Sequence, residues 1–373
     1  MKVNFYTSKR EYDEKKEEFN KAIISVVEKG ISTLGPEVVK LEDEIKEFTG
    51  AKYAIGVASG TDALVLASDI LGFNEGTEVI TSPFTFFASA SCIARTGAKP
   101  VFVDIDEETF NIDVNKIEEN ITDKTKGILP VHLFLQMADM DKIMDIAKSH
   151  NLRVLEDAAE AFGMRWRGNS DEYRHAGTIG DFGIFSFFPT KTLGGYGDGG
   201  MIVTNDEKLY EMAKIYRVHG ASKKYHHEYI GYNSRLDSIQ AAVLSVKMKY
   251  INDSIEKREE IGSWYIDGLK DIKEVRIPKI LGNQKHVFYV FNILAEKRDE
   301  LAEYLKEKEI GFSIYYPKPL HLQECFKYLG HKEGDFPVAE KISKEILALP
   351  MYPELTREEV EYVCNVIKEF YAK

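Results

Sequence analysis

The sequence predicts an α/β protein: a large N-terminal domain, residues 1–245, with a mixed, mostly parallel sheet flanked by helices, and a smaller C-terminal α+β domain, residues 246–373. Three observations predict it. Between about residues 53 and 204, short apolar runs alternate with segments of helical periodicity, the order expected of a parallel sheet covered by helices on both faces. At 373 residues the chain exceeds one ordinary small domain. After SRLDSIQAAVLSVKMKYI the composition turns richer in Lys and Glu and the alternation ends.

Taken in order, residues 13–29 carry Phe19, Ile23 and Val27 at four-residue spacing, and residues 36–48 carry Val38, Leu41, Ile45 and Phe48. Both segments read as amphipathic helices, with Pro36 suited to a first turn and Gly50 to a left-handed stop. The alternation then runs YAIGV and TDALVLASDILG, EVIT and a helix near 86–96, PVFVDI and a helical VNKIEENI, GILPVHLF and DKIMDIAKSH, LRVLED, GIFSFF and GMIVTN. The domain boundary falls within a long helix near 245–258. Beyond it come strands around VFYVFNIL and helices at 297–308, 335–346 and 356–371. No internal repeat or low-complexity tract interrupts this order.

Composition narrows the function. Basic residues number 49 and acidic residues 61, and the net charge of −12 opposes nonspecific attraction to nucleic acid, so an anionic ligand must be held locally by helix N-termini and backbone amides. No apolar run reaches the length of a membrane span, and the charged opening MKVNFYTSKREYDEKKEEFN lacks the apolar core of a secretory signal, which predicts a cytoplasmic protein. Cys92, Cys325 and Cys364 lack metal or disulfide spacing and are expected to be buried thiols. His226, His227 and Glu228 have no second matched ligand set and are read as a polar loop rather than a metal site.

In open α/β sheets ligands bind beyond the carboxyl ends of the strands. The residues that follow the expected strands are Ser59-Gly60-Thr61, Pro83 to Phe86, Asp104 and Asp106, His132, Glu156-Asp157, and Ser186 leading to Lys191. A solitary lysine is ordinarily a solvated surface charge. Lys191 instead sits just past a strand among Gly194, Gly195, Gly197, Gly199 and Gly200, where tight turns and close approach of a planar group are possible and a desolvated amine can act as a nucleophile. Asp157 would serve equally as a helix cap or as the carboxylate partner of a cofactor's ring nitrogen. Ser59 to Asp62 open a helix directly after a strand, which suits a cap and also a phosphate seat. Phe84 and Phe86 suit the core, or a ring stacked on a cofactor. Residues 165–177 read as a loop between the two halves of the site. His219 and His321 lie beside motif-like segments as candidates for substrate contact.

The ordered set SGTDAL, SPFTFFAS, EDAAEAFG, SFFPTKTLGGYGDGG, YRVHG, GYNSRLDSIQAA and YYPKPLHLQ resembles the DegT/StrS-type nucleotide-sugar aminotransferases, fold type I pyridoxal-phosphate enzymes, from the N-terminal helices to about residue 350. The similarity is nearest to the dTDP-3-amino-3,6-dideoxyhexose transaminases. It implies pyridoxal 5'-phosphate as cofactor, Lys191 as the Schiff-base lysine and proton carrier, and Asp157 as the pyridinium partner. It also implies Gly60, Thr61, Asp62 and Ser186 around the phosphate, Phe86 as the stacking ring, and Tyr316 and His321 near the substrate. Asn233 would reach the cofactor phosphate of a neighbouring subunit, which implies a homodimer with shared active sites. Many members read EDAAQ where this chain has Glu160, placing a carboxylate beside the cofactor instead of an amide.

The implied reaction moves an amino group from L-glutamate to a dTDP-linked 3-keto-6-deoxyhexose, giving a 3-amino sugar for a surface polysaccharide, without nucleic-acid or membrane partners. A 4-keto sugar nucleotide fits the same motifs. A sugar dehydratase of similar fold would carry histidine in place of Lys191. A nucleotide-sugar sensor without catalysis would have no need of the Lys191–Asp157 pair. A nicotinamide dehydrogenase would need GxGxxG after the first strand, where YAIGVASG stands.

Overall fold

A computed structural model of the chain describes residues 1–277 and 279–373. The large lobe comprises α1 (Lys9–Lys29), α2 (Pro36–Thr49), β1 (Tyr53–Val57), α3 (Gly60–Ile70), β2 (Glu78–Thr81), α4 (Phe87–Arg95), β3 (Lys99–Phe102), β4 (Thr125–Leu129), α5 (Met140–Ser149), β5 (Arg153–Asp157), β6 (Arg165–Trp166), β7 (Arg174–His175), β8 (Phe182–Ser186), β9 (Gly200–Thr204), α6 (Glu207–Tyr216), β10 (Ala221–Lys223), β11 (His226–His227) and α7 (Ser238–Met248). The chain continues through α8 (Ile251–Leu269), β12 (Val275–Arg276), β13 (Gln284–Lys285), β14 (Phe291–Ala295), α9 (Arg298–Glu307), α10 (Pro337–Glu345), β15 (Ile346–Leu349) and α11 (Arg357–Tyr371).

Seven strands form the main sheet in the order β1-β9-β8-β5-β4-β2-β3. From β3 to β8 every neighbouring pair is parallel, whereas β9 runs antiparallel to β8 and to β1. Strand residues divide by the two-residue period of the pleat. Ile55, Val79, Leu129, Leu155, Ile184 and Ile202 join one apolar layer. Their neighbours Ala54, Ile80, Ile128, Val154, Phe185 and Met201 join the other. Both faces are therefore covered, which explains why these strands read as continuous apolar runs. The first layer extends into the C-terminal lobe through Phe291, Ile293, Leu347 and Leu349 of the antiparallel sheet β12-β14-β15.

Helix ends follow their caps. Gly30 and Gly50 close α1 and α2 with φ of 69° and 78°, values a glycine adopts without strain. Thr356 and Glu359 form a reciprocal capping box at the start of α11. Ser59 caps α3 by accepting from the Asp62 amide.

Several sequence expectations are corrected. VNKIEENI forms two 3₁₀ turns, Val114–Lys116 and Glu118–Asn120, since Val114 and Ile117 meet the core at a three-residue spacing. The long helix near 245–258 is two helices broken at Lys249 and Tyr250, where the Tyr250 hydroxyl is tied to Glu18 of α1 while Ile251 turns into the core. The strand in GILPVHLF ends at Leu129, ahead of Pro130. Residues 165–177 form a hairpin, β6 and β7, extended by β13 and held by buried Trp166 and His175, and they do not line the cavity at the strand ends. His226 and His227 are strand β11 of an exposed hairpin rather than a loop. Cys325 is exposed because its 3₁₀ turn buries Phe326 instead.

Candidate active site

At the carboxyl ends of β5 and β8 lies a cavity of about 570 Å³, bounded on one side by the N-terminus of α3 and on the other by Tyr289, Tyr315 and Tyr316 of the C-terminal lobe. Its floor is built by the glycine run. The Lys191 amide donates to Phe188 O at 2.9 Å and the Gly195 amide to Phe187 O at 2.8 Å, winding the chain back on itself. A Cβ on Gly194 would lie 2.3 Å from Pro189 O, so the turn requires glycine. The Lys191 side chain, only 14% exposed, is held with its Nζ 3.1 Å from Glu160 Oε1 and 4.3 Å from the centre of the Tyr289 ring.

Asp157 ends β5, buried. Its Oδ2 accepts from Ser89 Oγ at 2.7 Å and its Oδ1 from the Ala159 amide at 3.2 Å, and burial raises its carboxyl above the ordinary value despite those bonds. Among the described residues no cation pairs with it. The preceding residue, Glu156, points to the other face by the pleat alternation. It accepts from the amides of Gly177, Ile179 and Gly180 and from His132 Nε2 at 2.9 Å, while His132 Nδ1 accepts from the Ala138 amide. Burial alone would raise the Glu156 carboxyl, but His132 and these amides together hold it below its ordinary value. This network fixes the segment from which Asp157 projects.

At the α3 terminus Ser59 takes the Asp62 amide, leaving the Gly60 and Thr61 amides without a partner among the described residues. A Cβ on Gly60 would stand 2.7 Å from Ser186 Cβ, and one on Gly200 only 2.5 Å from the Ser59 carbonyl carbon. The helix end therefore abuts β8 and β9 at contact distance and forms a compact anion seat.

Of the residues singled out in the sequence, Gly60, Thr61, Phe86, Asp157, Glu160, Ser186, Lys191 and Tyr316 all line this one cavity. Phe86 is 57% exposed with its ring 6.3 Å from that of Tyr316, whereas Phe84 is core. Asp62 does not line the cavity, since the first turn carries it past the seat. His321 is also outside: it is 1% exposed, its Nε2 lies 3.0 Å from Glu340 Oε1, and it packs on Phe336, so it braces the C-terminal lobe instead of facing substrate. His219 and Asn233 are brought together by the Val218–Asn233 bridge, both exposed and away from the cavity of their own chain. Sequence reasoning missed Ser89, Tyr289 and Tyr315. Nothing local marks Tyr289, which arrives from about 100 residues away, whereas Ser89 and Tyr315 stand inside SPFTFFAS and YYPKPLHLQ without any residue pattern that singles them out there.

The cavity fits pyridoxal phosphate on its own features: a seat of free amides for the phosphate, a buried carboxylate lacking a cation for a protonated ring nitrogen, and one buried amine for the aldehyde.

The comparisons with known proteins agree. The chain matches the DegT/DnrJ/EryC1/StrS aminotransferase family over residues 13–368. It is 48% identical to a pleiotropic regulatory protein of Geobacillus stearothermophilus over 373 residues, covering 100% of this chain and 99% of that one. A UDP-N-acetyl-3-dehydro-alpha-D-glucosamine 3-aminotransferase of Acidithiobacillus ferrooxidans is 40% identical over 335 residues, 90% of this chain and 89% of the relative. A dTDP-3-amino-3,6-dideoxy-alpha-D-galactopyranose transaminase of Aneurinibacillus thermoaerophilus is 40% identical over 353 residues, 95% of each. The crystal structure of DesV from S. venezuelae superposes with a TM-score of 0.96 at 36% identity, covering 100% of this chain and 99% of that one.

Proposed function

The chain belongs to the DegT/DnrJ/EryC1/StrS aminotransferase family and is a pyridoxal-phosphate-dependent transaminase acting on nucleotide sugars, and we propose that it moves an amino group from L-glutamate to C3 of a dTDP-linked 3-keto-6-deoxyhexose. The observation that carries this reading is the convergence of Lys191, Asp157 and the free amides of Gly60 and Thr61 on one cavity. A relative that makes a dTDP-linked 3-amino-3,6-dideoxy sugar favours the substrate; a relative acting on a UDP-linked 3-keto sugar makes UDP the alternative carrier.

In this proposal Lys191 Nζ would hold the cofactor at rest and, once the donor's amine has displaced it, would take the proton from the donor's α-carbon and later deliver one to the sugar carbon. Bound there, the cofactor supplies an electron sink for the bond electrons that the departing proton leaves behind. Asp157 keeps the ring nitrogen charged, held in place by Ser89 and the Ala159 amide. Gly60, Thr61 and Ser186 would seat the phosphate, Phe86 would cover the ring, and Tyr316 would meet the sugar. Asn233 and His219 serve the site of a second copy. The segment beside them, the β10–β11 hairpin and the residues that follow it, leaves Tyr225 82% and Ile230 96% exposed, which supports such a homodimer, since large exposed apolar side chains are covered at interfaces.

The test is a visible absorption spectrum of the purified protein with pyridoxal phosphate, followed by addition of L-glutamate and then of dTDP- and UDP-linked keto sugars, with products read by mass spectrometry and NMR. A visible band that glutamate bleaches and a dTDP-linked 3-keto sugar restores is the expected outcome, and Lys191→Ala gives no band. Restoration by a 4-keto sugar, or only by UDP sugars, replaces the substrate proposed here. No uptake of cofactor would favour the reading of a nucleotide-sugar sensor without catalysis.

A further inference from the structure

Glu160 makes contacts that an amide at the same position could not make. Its buried carboxylate takes three donors: the Phe134 amide on Oε2 at 3.2 Å, and on Oε1 both Lys191 Nζ at 3.1 Å and the Tyr316 hydroxyl at 3.4 Å. A carboxamide ends in one acceptor and one NH₂ that only donates. With its oxygen toward Lys191, the NH₂ would meet the N–H of Phe134; turned over, the NH₂ would meet the Lys191 ammonium. The donor set therefore fits an anion on both oxygens.

An anion 3.1 Å from an amine in a water-poor cavity favours the protonated amine. Of the other groups facing Lys191, those lining the cavity do not oppose it, and of the two cations on its far side Lys247 is paired with Glu11 and Arg258 has no ion pair among the described residues. Asp157 from β5 and Asp198 from the glycine run are acidic, Tyr289, Tyr315 and Tyr316 from the C-terminal lobe are neutral, and Lys191 is the only cation lining the cavity among the described residues. On its far side a small cavity holds Tyr6, Glu11, Glu354, Lys247 and Arg258, in which Glu11 is paired with Lys247 at 2.6 Å. Burial by itself would lower the Lys191 amine, but Glu160 and then Tyr289 outweigh it and set it above its ordinary value.

We propose that Glu160 is the counter-ion that keeps Lys191 protonated in the cofactor-free site, so that covalent capture of pyridoxal phosphate is gated by loss of that proton. This rests on the reading of Lys191 as the cofactor-bonding amine. In the gated step Lys191 Nζ gives one proton to solvent, then forms a carbon–nitrogen double bond to the aldehyde carbon, whose oxygen leaves as water with the two remaining amine protons. Glu160 is unchanged at the end.

The experiment mixes cofactor-free protein with pyridoxal phosphate in a stopped-flow instrument and follows growth of the visible band across pH. The expected result is a rate that rises with pH in the wild type, a Glu160→Gln profile displaced to lower pH with capture about 10-fold faster near neutrality, and a wild-type profile for Glu160→Asp. Glu160→Gln rates within about twofold of wild type at every pH overturn the proposal while leaving the transaminase reading intact. A wild type that never forms a band overturns both. Should Glu160→Gln fail to fold, acetic anhydride labelling of the cofactor-free wild type decides by mass spectrometry: the Lys191 peptide must titrate above the ordinary lysine value of about 10.4, and a midpoint at or below it overturns the proposal.

Discussion

Gly60 shows what a single atom controls. A methyl group there would sit 2.7 Å from Ser186 Cβ and 3.1 Å from Ser186 Cα, and the main chain of β8 has no room to retreat. Gly60→Ala should therefore weaken cofactor binding by about 10-fold or more, about 1.4 kcal/mol, measured by equilibrium dialysis, even though alanine is the better helix former. Asp157 presents the opposite balance. Burial raises its carboxyl despite the bonds from Ser89 and the Ala159 amide, so in the cofactor-free protein at neutral pH its charge costs stability. Asp157→Asn should raise the thermal midpoint of the cofactor-free protein and lower turnover by about 10²-fold or more, since the ring nitrogen loses its counter-charge. A variant that melts lower, or retains full turnover, removes Asp157 from its assigned role. Both residues stood out in the sequence from position alone, one opening a helix after a strand and the other closing a strand, whereas their partners Ser186 and Ser89 are fixed by contacts across the fold.

At the scale of elements, the hairpin of β6 and β7 carries a titration that a loop would lack. His175 is buried with Nδ1 bonded to Ala176 O at 2.7 Å and Nε2 accepting from the Gly163 amide at 2.9 Å, and burial pushes its imidazole down to about 4. The unfolded chain takes up a proton below about pH 6.5 that the folded chain refuses, so this residue's contribution is present above that pH and is lost as pH falls toward 4. The loss should reach about 3 kcal/mol in urea unfolding, and His175→Gln should flatten the dependence by that amount. An unchanged slope would mean His175 is not the group that titrates. The insert 165–177 gave no hint of this in the sequence. Its strands are two residues each, and they are extended into a sheet because β13, more than 100 residues later in the chain, pairs with β6. The same reason explains VNKIEENI: its apolar spacing suits a helix, but the core it meets accepts a tighter turn.

For the whole molecule, Asn233 and His219 lie away from their own cavity, and the proposed homodimer would make assembly part of the site. Sedimentation should show a dimer. Mixing Lys191→Ala with Asn233→Ala protein should restore activity above the mean of the two, because a mixed dimer assembles one site with Lys191 from one chain and Asn233 from the other. No gain on mixing, in protein shown to exchange subunits, would remove the shared site. No helix among the described residues is long and apolar enough to cross a membrane.

The sequence by itself determined the parallel sheet, the helix caps, the glycine turn under Lys191, and the placing of Lys191 and Asp157 at strand ends, because each is written in neighbouring residues: a two-residue or four-residue period, a cap, a turn that only glycine allows. Tertiary structure alone decided that Glu160 meets Lys191 and Tyr316, that Tyr289 lies under the amine, and that His321 turns to Glu340 and leaves the site. Those contacts join residues from 19 to 156 positions apart. Their geometry depends on how two lobes pack around one apolar layer, and no local pattern encodes that packing.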